Sequence, residues 1–272
     1  MEDIDFLVIG ATKSATTWLQ LALKADPSVV MPPQDLELHY FSRELHRGNK
    51  WYLSHFPNRK EVGQVVGERS NSYLDTPGIA GRVHAALPHA KLVAQLRNPV
   101  DRAYSDYCML YRRGEVGRNI DSYLDPRIAG ENRFLAGGRY SRQIQEYLEY
   151  YSPSQLLILF FEEMKLDPTQ QLLQLRNYLG LRTRLPTLPF DKKVKDKITP
   201  IVSPEMRRRL RWVKPVVNPF QNTQIYGKLR SLVAREVEYP ALHPDLRKRM
   251  VEYYAPEVVA LRKLLGRDLP GW

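Results

Sequence analysis

Short apolar runs alternate with amphipathic stretches along most of the chain. The runs have the length and β-branched content of buried strands, and the stretches between them place apolar residues three and four positions apart, as helices do. Strands are predicted at Asp5–Gly10, Gln64–Glu68, Lys91–Leu96 and Leu156–Phe161, and helices at 16–25, 78–87, 99–113, 140–151, 168–180 and 246–265. This alternation predicts an α/β fold with a central parallel sheet and helices on both faces.

The first predicted strand leads into a turn with the features of an anion site. The apolar run from Phe6 ends in Gly10, a lysine follows at Lys13, and Thr16 and Thr17 open the next helix. Backbone N–H groups at a helix N-terminus, the helix dipole and a lysine charge together favour a phosphate or a sulfate. The turn is not a Walker A loop, because it lacks the G-x-x-x-x-G-K-[ST] spacing.

A second strand, turn and helix begins at Lys91. Arg97 follows the strand, Pro99 suits the first turn of a helix, and Ser105 lies about two helical turns further on. Arg97 and Ser105 can therefore reach one ligand; alternatively, Arg97 pairs with Asp101 and Ser105 is solvated. Ligands bind beyond the carboxyl ends of parallel strands, so Lys13 and Arg97 are predicted to share one crevice.

Composition and charge narrow the class of protein. The chain has 272 residues, is 43% hydrophobic and contains one cysteine, Cys108, which suits one large α/β domain without a disulfide framework. No apolar run approaches the ~18 residues of a membrane span, and the acidic N-terminus is unlike a secretory signal, so we expect a cytoplasmic protein with no membrane span.

The formal net charge is +11, which attracts polyanions. No nucleic-acid-binding motif accompanies the charge, so no nucleic acid is expected as a partner. Basic residues concentrate in 192–214, within a segment, 182–223, that is rich in proline and has little periodicity. This segment is predicted to be an irregular excursion over the site.

Four motifs in order resemble a known family. The segments IGATKSATTWL, DLELHYFS, GERSNSYL and LVAQLRNPVDRAYSDY are similar to those of the sulfotransferases that use 3′-phosphoadenosine-5′-phosphosulfate (PAPS). The branch they resemble is the heparan-sulfate type with its soluble bacterial relatives. The resemblance implies one P-loop-like sulfotransferase domain over residues 1–272. It also implies PAPS as cosubstrate, no metal, and an acceptor hydroxyl or amine on a glycan, lipid or small natural product.

The resemblance also implies roles for particular residues. Glu37 corresponds to the catalytic base and His39 to a site histidine, and Lys13 is the cation for the leaving phosphate. Glu37 and His39 are two apart, so an extended strand would place them on one face. The residues expected to bind the cosubstrate are Lys13, Ser14, Ala15, Thr16, Thr17, Arg97, Ser105 and Lys197, and those expected on the acceptor side are Arg69, Trp51 and Tyr140.

Two positions depart from the family pattern. Ala15 stands where the family has glycine; alanine is tolerated there if the residue is already helical and strained if φ is positive. Arg69 stands in place of a lysine, so it keeps the charge but presents a planar fork.

Two other functional classes share part of this pattern. A P-loop-like kinase has the same strand, turn and helix, but it needs an acidic metal ligand that is not evident. A non-catalytic polyanion-binding protein explains the charge but gives no reason for Glu37 and His39 beside a basic cleft. Binding of the adenosine bisphosphate product and of ATP, with and without Mg²⁺, distinguishes the three classes.

Overall fold

The structure is a computed structural model that describes residues 1, 3–33, 36–56, 63–182, 201–209 and 234–272. The chain divides into two compact units. The first unit comprises Met1–Arg102, Ala136–Lys192 and Tyr254–Trp272, and the second comprises Ala103–Leu135 and Lys193–Tyr253.

A parallel five-stranded sheet forms the first unit. Its strands are β1 (Phe6–Gly10), β2 (Val29–Val30), β3 (Val65–Arg69), β4 (Lys91–Leu96) and β5 (Leu156–Phe160), in the order β2-β3-β1-β4-β5. The four predicted strands are confirmed to within one residue at each end. Strand β2 was not predicted, because two residues are too few to show a period.

The six predicted helices are confirmed, and the described residues contain six further short helices that were not predicted. Together they are α1 (Thr16–Lys24), α2 (Gly48–Ser54), α3 (Ser72–Asp75), α4 (Ile79–Ala86), α5 (Pro99–Arg113), α6 (Asp121–Leu124), α7 (Arg133–Ala136), α8 (Tyr140–Leu148), α9 (Phe161–Leu166), α10 (Pro168–Leu179), α11 (Pro204–Arg209) and α12 (Pro244–Leu265). A π-helical turn spans Tyr40–Glu44. Local chemistry sets the ends of α10: Asp167 accepts from the Gln170 amide at 2.9 Å, and Gly180 ends the helix at φ 80°.

The sheet buries both of its faces. In β1, Leu7 and Ile9 enter one apolar cluster, whereas Phe6 and Val8 enter another. Side chains of α4 and α8 line the first cluster, and those of α1 and α10 line the second. Successive residues of a strand point to opposite faces, so the predicted arrangement of helices on both faces is confirmed.

The carboxyl edge of this sheet is where the predicted site residues emerge. Lys13 follows β1 and Arg97 follows β4, and these strands are neighbours. The chain passes from β1 to β3 on one side and then returns to β4 on the other side. Ligands of open α/β sheets bind at such a reversal of strand order.

The second unit rests on aromatic and ionic contacts. Tyr107 packs against Tyr111, Tyr123 and Phe134, and its hydroxyl donates to the Gly117 carbonyl at 2.8 Å. Strands β6 (Ile201–Val202) and β7 (Ala234–Arg235) form an antiparallel pair.

The prediction of an irregular excursion over 182–223 is wrong for 201–209, which contains β6 and α11. Its other residues, except Arg182, lie outside the described residues. None of the helices described is both long and apolar enough to cross a membrane.

Candidate active site

The turn after β1 begins with a close approach of the backbone to the β3–α3 connection. A Cβ added to Gly10 would lie 2.7 Å from the Leu74 Cβ and 3.2 Å from the Asn71 carbonyl oxygen. Both distances are too short for a side chain at position 10 without movement of its neighbours. Glycine is therefore required where β1 ends.

Left-handed backbone shapes the rest of this turn. Lys13 has φ 70°, and Ala15 has φ 63° and ψ 25°. Of the two alternatives for Ala15, the structure shows the strained one, because left-handed backbone brings the Cβ close to the following carbonyl oxygen. No side chain caps α1, and the first N–H groups of a helix have no partner within it. The turn thus presents backbone donors beside Lys13.

Arg97 reaches the same turn from β4. Its Nη1 donates to the Lys13 carbonyl at 3.2 Å, and its guanidinium lies 4.5 Å from the centre of the Phe161 ring. Burial lowers the pKa of Arg97, and nearby Asp101 and Glu162 oppose that change. The predicted proximity of Arg97 to the Lys13 turn is confirmed.

The Glu37 carboxylate is held by three donors. It accepts from Arg69 Nη1 at 2.7 Å, from the Asn71 amide at 3.1 Å and from Asn71 Nδ2 at 3.0 Å. Glu37 nevertheless keeps 26% of its side chain exposed, whereas Arg69 keeps 3%. The carboxylate is therefore fixed in position and still open to a reactant.

His39 lies beside Glu37, although the two are not in a strand. Its Nε2 is 3.7 Å from Glu37 Oε2, and its Nδ1 is 2.7 Å from Ser72 Oγ. The predicted extended strand is wrong, because His39 has φ 51° and precedes the π-helical turn. Burial lowers the pKa of His39, and the charges of Arg43 and Arg69 lower it further against the opposing effect of Glu37. His39 is therefore neutral at neutral pH and can accept a proton.

Arg69 connects the Glu37 carboxylate to α1. Its Nε donates to Gln20 Oε1 at 2.9 Å while Nη1 holds Glu37. Two of its donors are thus engaged within the protein. The predicted acceptor contact of Arg69 stays a prediction, and the geometry gives the side chain a second task in orienting Glu37.

Trp51 and Tyr140 lie in different surroundings. Trp51 is half-buried, with its ring centre 6.2 Å from Tyr40 and the Arg47 guanidinium 4.3 Å above it. Tyr140 is buried, and its hydroxyl donates to the Arg97 carbonyl at 3.0 Å. Tyr140 therefore supports Arg97, and acceptor binding by either residue stays a prediction.

The remaining predicted residues have separate outcomes. Ser14 and Thr16 are buried in the turn, and Thr17 is half-buried. Ser105 is buried on α5 and belongs to the second unit. Its contact with the ligand of Arg97 stays a prediction, and Lys197 lies outside the described residues.

Sequence reasoning missed several polar side chains that hold Glu37 and His39, either directly or through one intervening residue. Most of them come from one run after β3, and the others are Gln20 on α1 and Glu68 at the end of β3. The run is Ser70, Asn71 and Ser72. A polar run at the carboxyl end of a buried strand was the available signal, since such side chains face the ligand edge of the sheet.

Comparison with known proteins identifies the family. A model of the sulfotransferase domain matches residues 3–210. The chain belongs to the sulfotransferase family. This result confirms the predicted enzyme class and decides for it over the kinase class.

Relatives of this sulfotransferase cover nearly all of the chain. It is 28% identical over 291 residues to bifunctional heparan sulfate N-deacetylase/N-sulfotransferase 1 of Caenorhabditis briggsae, across 98% of this chain and 31% of that protein. It is also 28% identical over 290 residues to bifunctional heparan sulfate N-deacetylase/N-sulfotransferase 2 of Homo sapiens, across 98% of this chain and 30% of that protein. The chain thus spans about a third of the length of these relatives.

A solved structure shares the fold. The sulfotransferase from Alicyclobacillus acidocaldarius superposes with a TM-score of 0.72 and 26% identity, across 99% of this chain and 98% of that one. The predicted P-loop-like α/β class is therefore confirmed.

Proposed function

We propose that this sulfotransferase moves a sulfuryl group from PAPS to a hydroxyl or amine of a glycan, with Glu37 as the base. The observation that carries the proposal is the meeting of Arg97 with the Lys13 turn, on neighbouring strands of the sheet. The Glu37 carboxylate is bound to Asn71, whose carbonyl approaches Gly10 at the start of that turn.

The residues present suit a donor with two separate anionic groups. The N–H groups at the start of α1 and the Lys13 ammonium suit the phosphosulfate end. Arg97 suits the 3′-phosphate, because guanidinium presents several donors to phosphate oxygens.

Glu37 and Lys13 divide the chemical step between them. Glu37 takes the proton of the acceptor as the acceptor oxygen or nitrogen forms its bond to sulfur. The bond between sulfur and the bridging phosphate oxygen breaks, and Lys13 stabilises the charge that develops on that oxygen. Three donors orient the Glu37 carboxylate, so it meets the acceptor without further reorganisation.

His39 provides a second proton site next to Glu37. When its Nδ1–H donates to Ser72, the Nε2 lone pair remains available 3.7 Å from Glu37 Oε2. His39 is neutral at neutral pH because burial lowers its pKa. We therefore assign it to receive the proton from Glu37 or to orient the acceptor.

A glycan is the acceptor that the relatives favour. Their names specify N-sulfation of heparan sulfate, which modifies an amine on a sugar. Trp51, whose ring centre lies 6.2 Å from that of Tyr40, is proposed to contact a sugar ring of the acceptor. A glycan amine is the first acceptor to test, followed by glycan hydroxyls, small natural products and lipids.

The experiment combines transfer and binding. Purified protein is given sulfur-labelled PAPS with N-deacetylated heparan sulfate, and with the N-acetylated polymer as the matched control. We expect label on the N-deacetylated polymer, and calorimetric binding of 3′-phosphoadenosine 5′-phosphate without Mg²⁺. Binding of ATP alone, dependent on Mg²⁺, would contradict the proposal. Bisphosphate binding without transfer to any member of an acceptor panel would indicate a binding protein.

A further inference from the structure

A buried carboxylate lies behind the residues that carry the proposed chemistry. Glu68, in β3, is fully buried and accepts from Ser70 Oγ at 2.7 Å and from the Tyr73 hydroxyl at 2.7 Å. The Tyr52 hydroxyl lies 3.5 Å away. Glu68 does not contact the open side of the site, so the step described above makes no use of it.

The two hydroxyls bound to Glu68 also hold the segment that contains His39. The His39 amide donates to Ser70 Oγ at 2.9 Å, and the Phe41 amide donates to the Tyr73 hydroxyl at 3.4 Å. Each hydroxyl thus stands between Glu68 and a backbone N–H. A hydroxyl has one proton, so it can accept from the backbone only when that proton points elsewhere.

An ionised Glu68 carboxylate orients the protons of both hydroxyls away from the backbone amides. It accepts hydrogen bonds and donates none, so Ser70 and Tyr73 both point their protons at Glu68 and keep lone pairs for the amides. A glutamine or a protonated acid would contribute a donor of its own and compete with this pattern. The support matters because His39 has φ 51°, a conformation that costs energy for a residue with a side chain.

We propose that Glu68 is a positioning residue that fixes the Glu37–His39 segment through the hydroxyls of Ser70 and Tyr73. This inference rests on the proposed function, because it assigns Glu68 to the geometry of the proposed base. Glu68 acts on the acceptor side of the site. The contact between Arg97 and the Lys13 carbonyl, on the side proposed to bind the cosubstrate, involves neither Glu68 nor these two hydroxyls.

The charged and titratable groups around Glu68 make this hydrogen-bond network depend on pH. They are Tyr52 on α2, Tyr73 on α3, Arg69 beside Glu68 on β3, and Glu37. Burial and, to a smaller extent, the charge of Glu37 raise the pKa of Glu68, whereas Tyr73, Ser70 and Arg69 lower it, and the net pKa is about 7. Raising the pH through about 7 therefore ionises Glu68 and sets both hydroxyls, so turnover should rise over that interval. Any change in turnover caused by protonation of His39 should occur at lower pH, because burial keeps the pKa of His39 below its ordinary value.

The test is Glu68→Gln, measured as a split between turnover and binding. Misplacement of a reacting group by about 1 Å can cost ~10²-fold in rate, so we expect kcat to fall about 10- to 100-fold. The KM for PAPS and the affinity for 3′-phosphoadenosine 5′-phosphate should stay within a few-fold of wild type. The rise in turnover near pH 7 should disappear.

Variants that each remove one of the two hydroxyls bound to Glu68, called single-arm variants here, keep the test decisive if Glu68→Gln does not fold. Ser70→Ala and Tyr73→Phe each remove one hydroxyl, and each should lower kcat with unchanged affinity for the bisphosphate. Tyr151→Phe is the matched control, because its buried hydroxyl donates to the Leu87 carbonyl at 2.9 Å, away from this segment. Wild-type kcat and an unchanged pH profile in Glu68→Gln, or in both single-arm variants, would overturn the inference.

A readout independent of turnover separates this inference from the proposed function. Hydrogen exchange over residues 36–44 should quicken in Glu68→Gln and in both single-arm variants, and it should stay unchanged in Tyr151→Phe. Faster exchange in a protein that transfers no sulfuryl group would refute the function while retaining the hydrogen-bond network. Unchanged exchange would refute the positioning role even in an active enzyme.

Discussion

The Lys13 turn and the Glu37 segment meet the same edge of the sheet but are held in different ways. The turn, residues 11–15, joins β1 directly to α1 and takes its shape from left-handed backbone at Lys13 and Ala15. The segment, residues 36–39, is held by side chains of residues 31 to 34 positions away in the chain. Substitutions in the turn should therefore act where they are made, whereas the segment should respond to changes made far from it.

Removing the proposed base should have the largest effect on the segment. Glu37→Gln keeps the shape of the side chain but cannot take a proton, and loss of a general base typically costs ~10²–10⁴ in rate. The affinity for the adenosine bisphosphate, measured by calorimetry, should change little. Glu44→Gln, an acid on the adjoining π-helical turn, is the control. Turnover within a few-fold of wild type would move the base to His39.

The turn should show a comparable effect through charge. Lys13→Ala removes the cation proposed for the leaving oxygen, and such electrostatic groups contribute ~10²–10³ in kcat. Bisphosphate binding should weaken less, because that product lacks the transferred group. Lys24→Ala, at the other end of α1, should keep turnover near that of wild type. Wild-type turnover in Lys13→Ala would sink the assignment.

A third variant tests whether the turns that follow β1 and β4 bind different parts of the donor. A hydrogen bond to a charged group contributes about 1.5–3 kcal/mol. Arg97→Ala should therefore erase much of the preference for PAPS over adenosine 5′-phosphosulfate, as kcat/KM for each donor will show. Arg113→Ala, at the far end of α5, should leave that preference intact. If Arg97→Ala also preserves it, another residue reads the 3′-phosphate.

The smallest expected effect is on stability and is confined to the turn. Left-handed backbone costs a residue with a side chain roughly 1–2 kcal/mol, and glycine avoids that cost. Glycine also makes the unfolded chain more flexible, which lowers the free energy of unfolding by about 0.5–1 kcal/mol. Ala15→Gly should therefore raise the free energy of unfolding by up to about 1.5 kcal/mol in denaturant titrations. Ala85→Gly, exposed within α4, should lower it. A loss of stability in Ala15→Gly would show that the backbone at position 15 is not strained.

The turn was largely predictable from the sequence because its determinants are local. Strand periodicity located β1 and β4, so the residues after each strand, Lys13 and Arg97, could be placed at one edge. The φ of Ala15 could not be predicted, since it is imposed by how β1 and α1 join. Only the resemblance to the family, which has glycine where this chain has Ala15, suggested that the backbone at this position is unusual.

The segment was predicted only in part because its determinants are distant. The sequence predicted that Glu37 and His39 lie together, but it assigned the cause to an extended strand. Hydrogen bonds to Ser70, Asn71 and Ser72 hold them instead, and no periodicity links residues more than 30 positions apart. Glu68 escaped notice for the same reason, since a carboxylate at the end of a strand reads as a polar terminus until its partners are known.

The close approach at Gly10 has an evolutionary consequence. A side chain there would press on Leu74 and on the Asn71 carbonyl, and Asn71 also holds Glu37. Positions 10, 71 and 74 should therefore be epistatic, with effects that do not add. A lineage that replaced the glycine would have to shorten residue 74 or reshape the β3–α3 connection in the same period. The proposed donor side and the proposed acceptor side of this enzyme are thus coupled through these contacts.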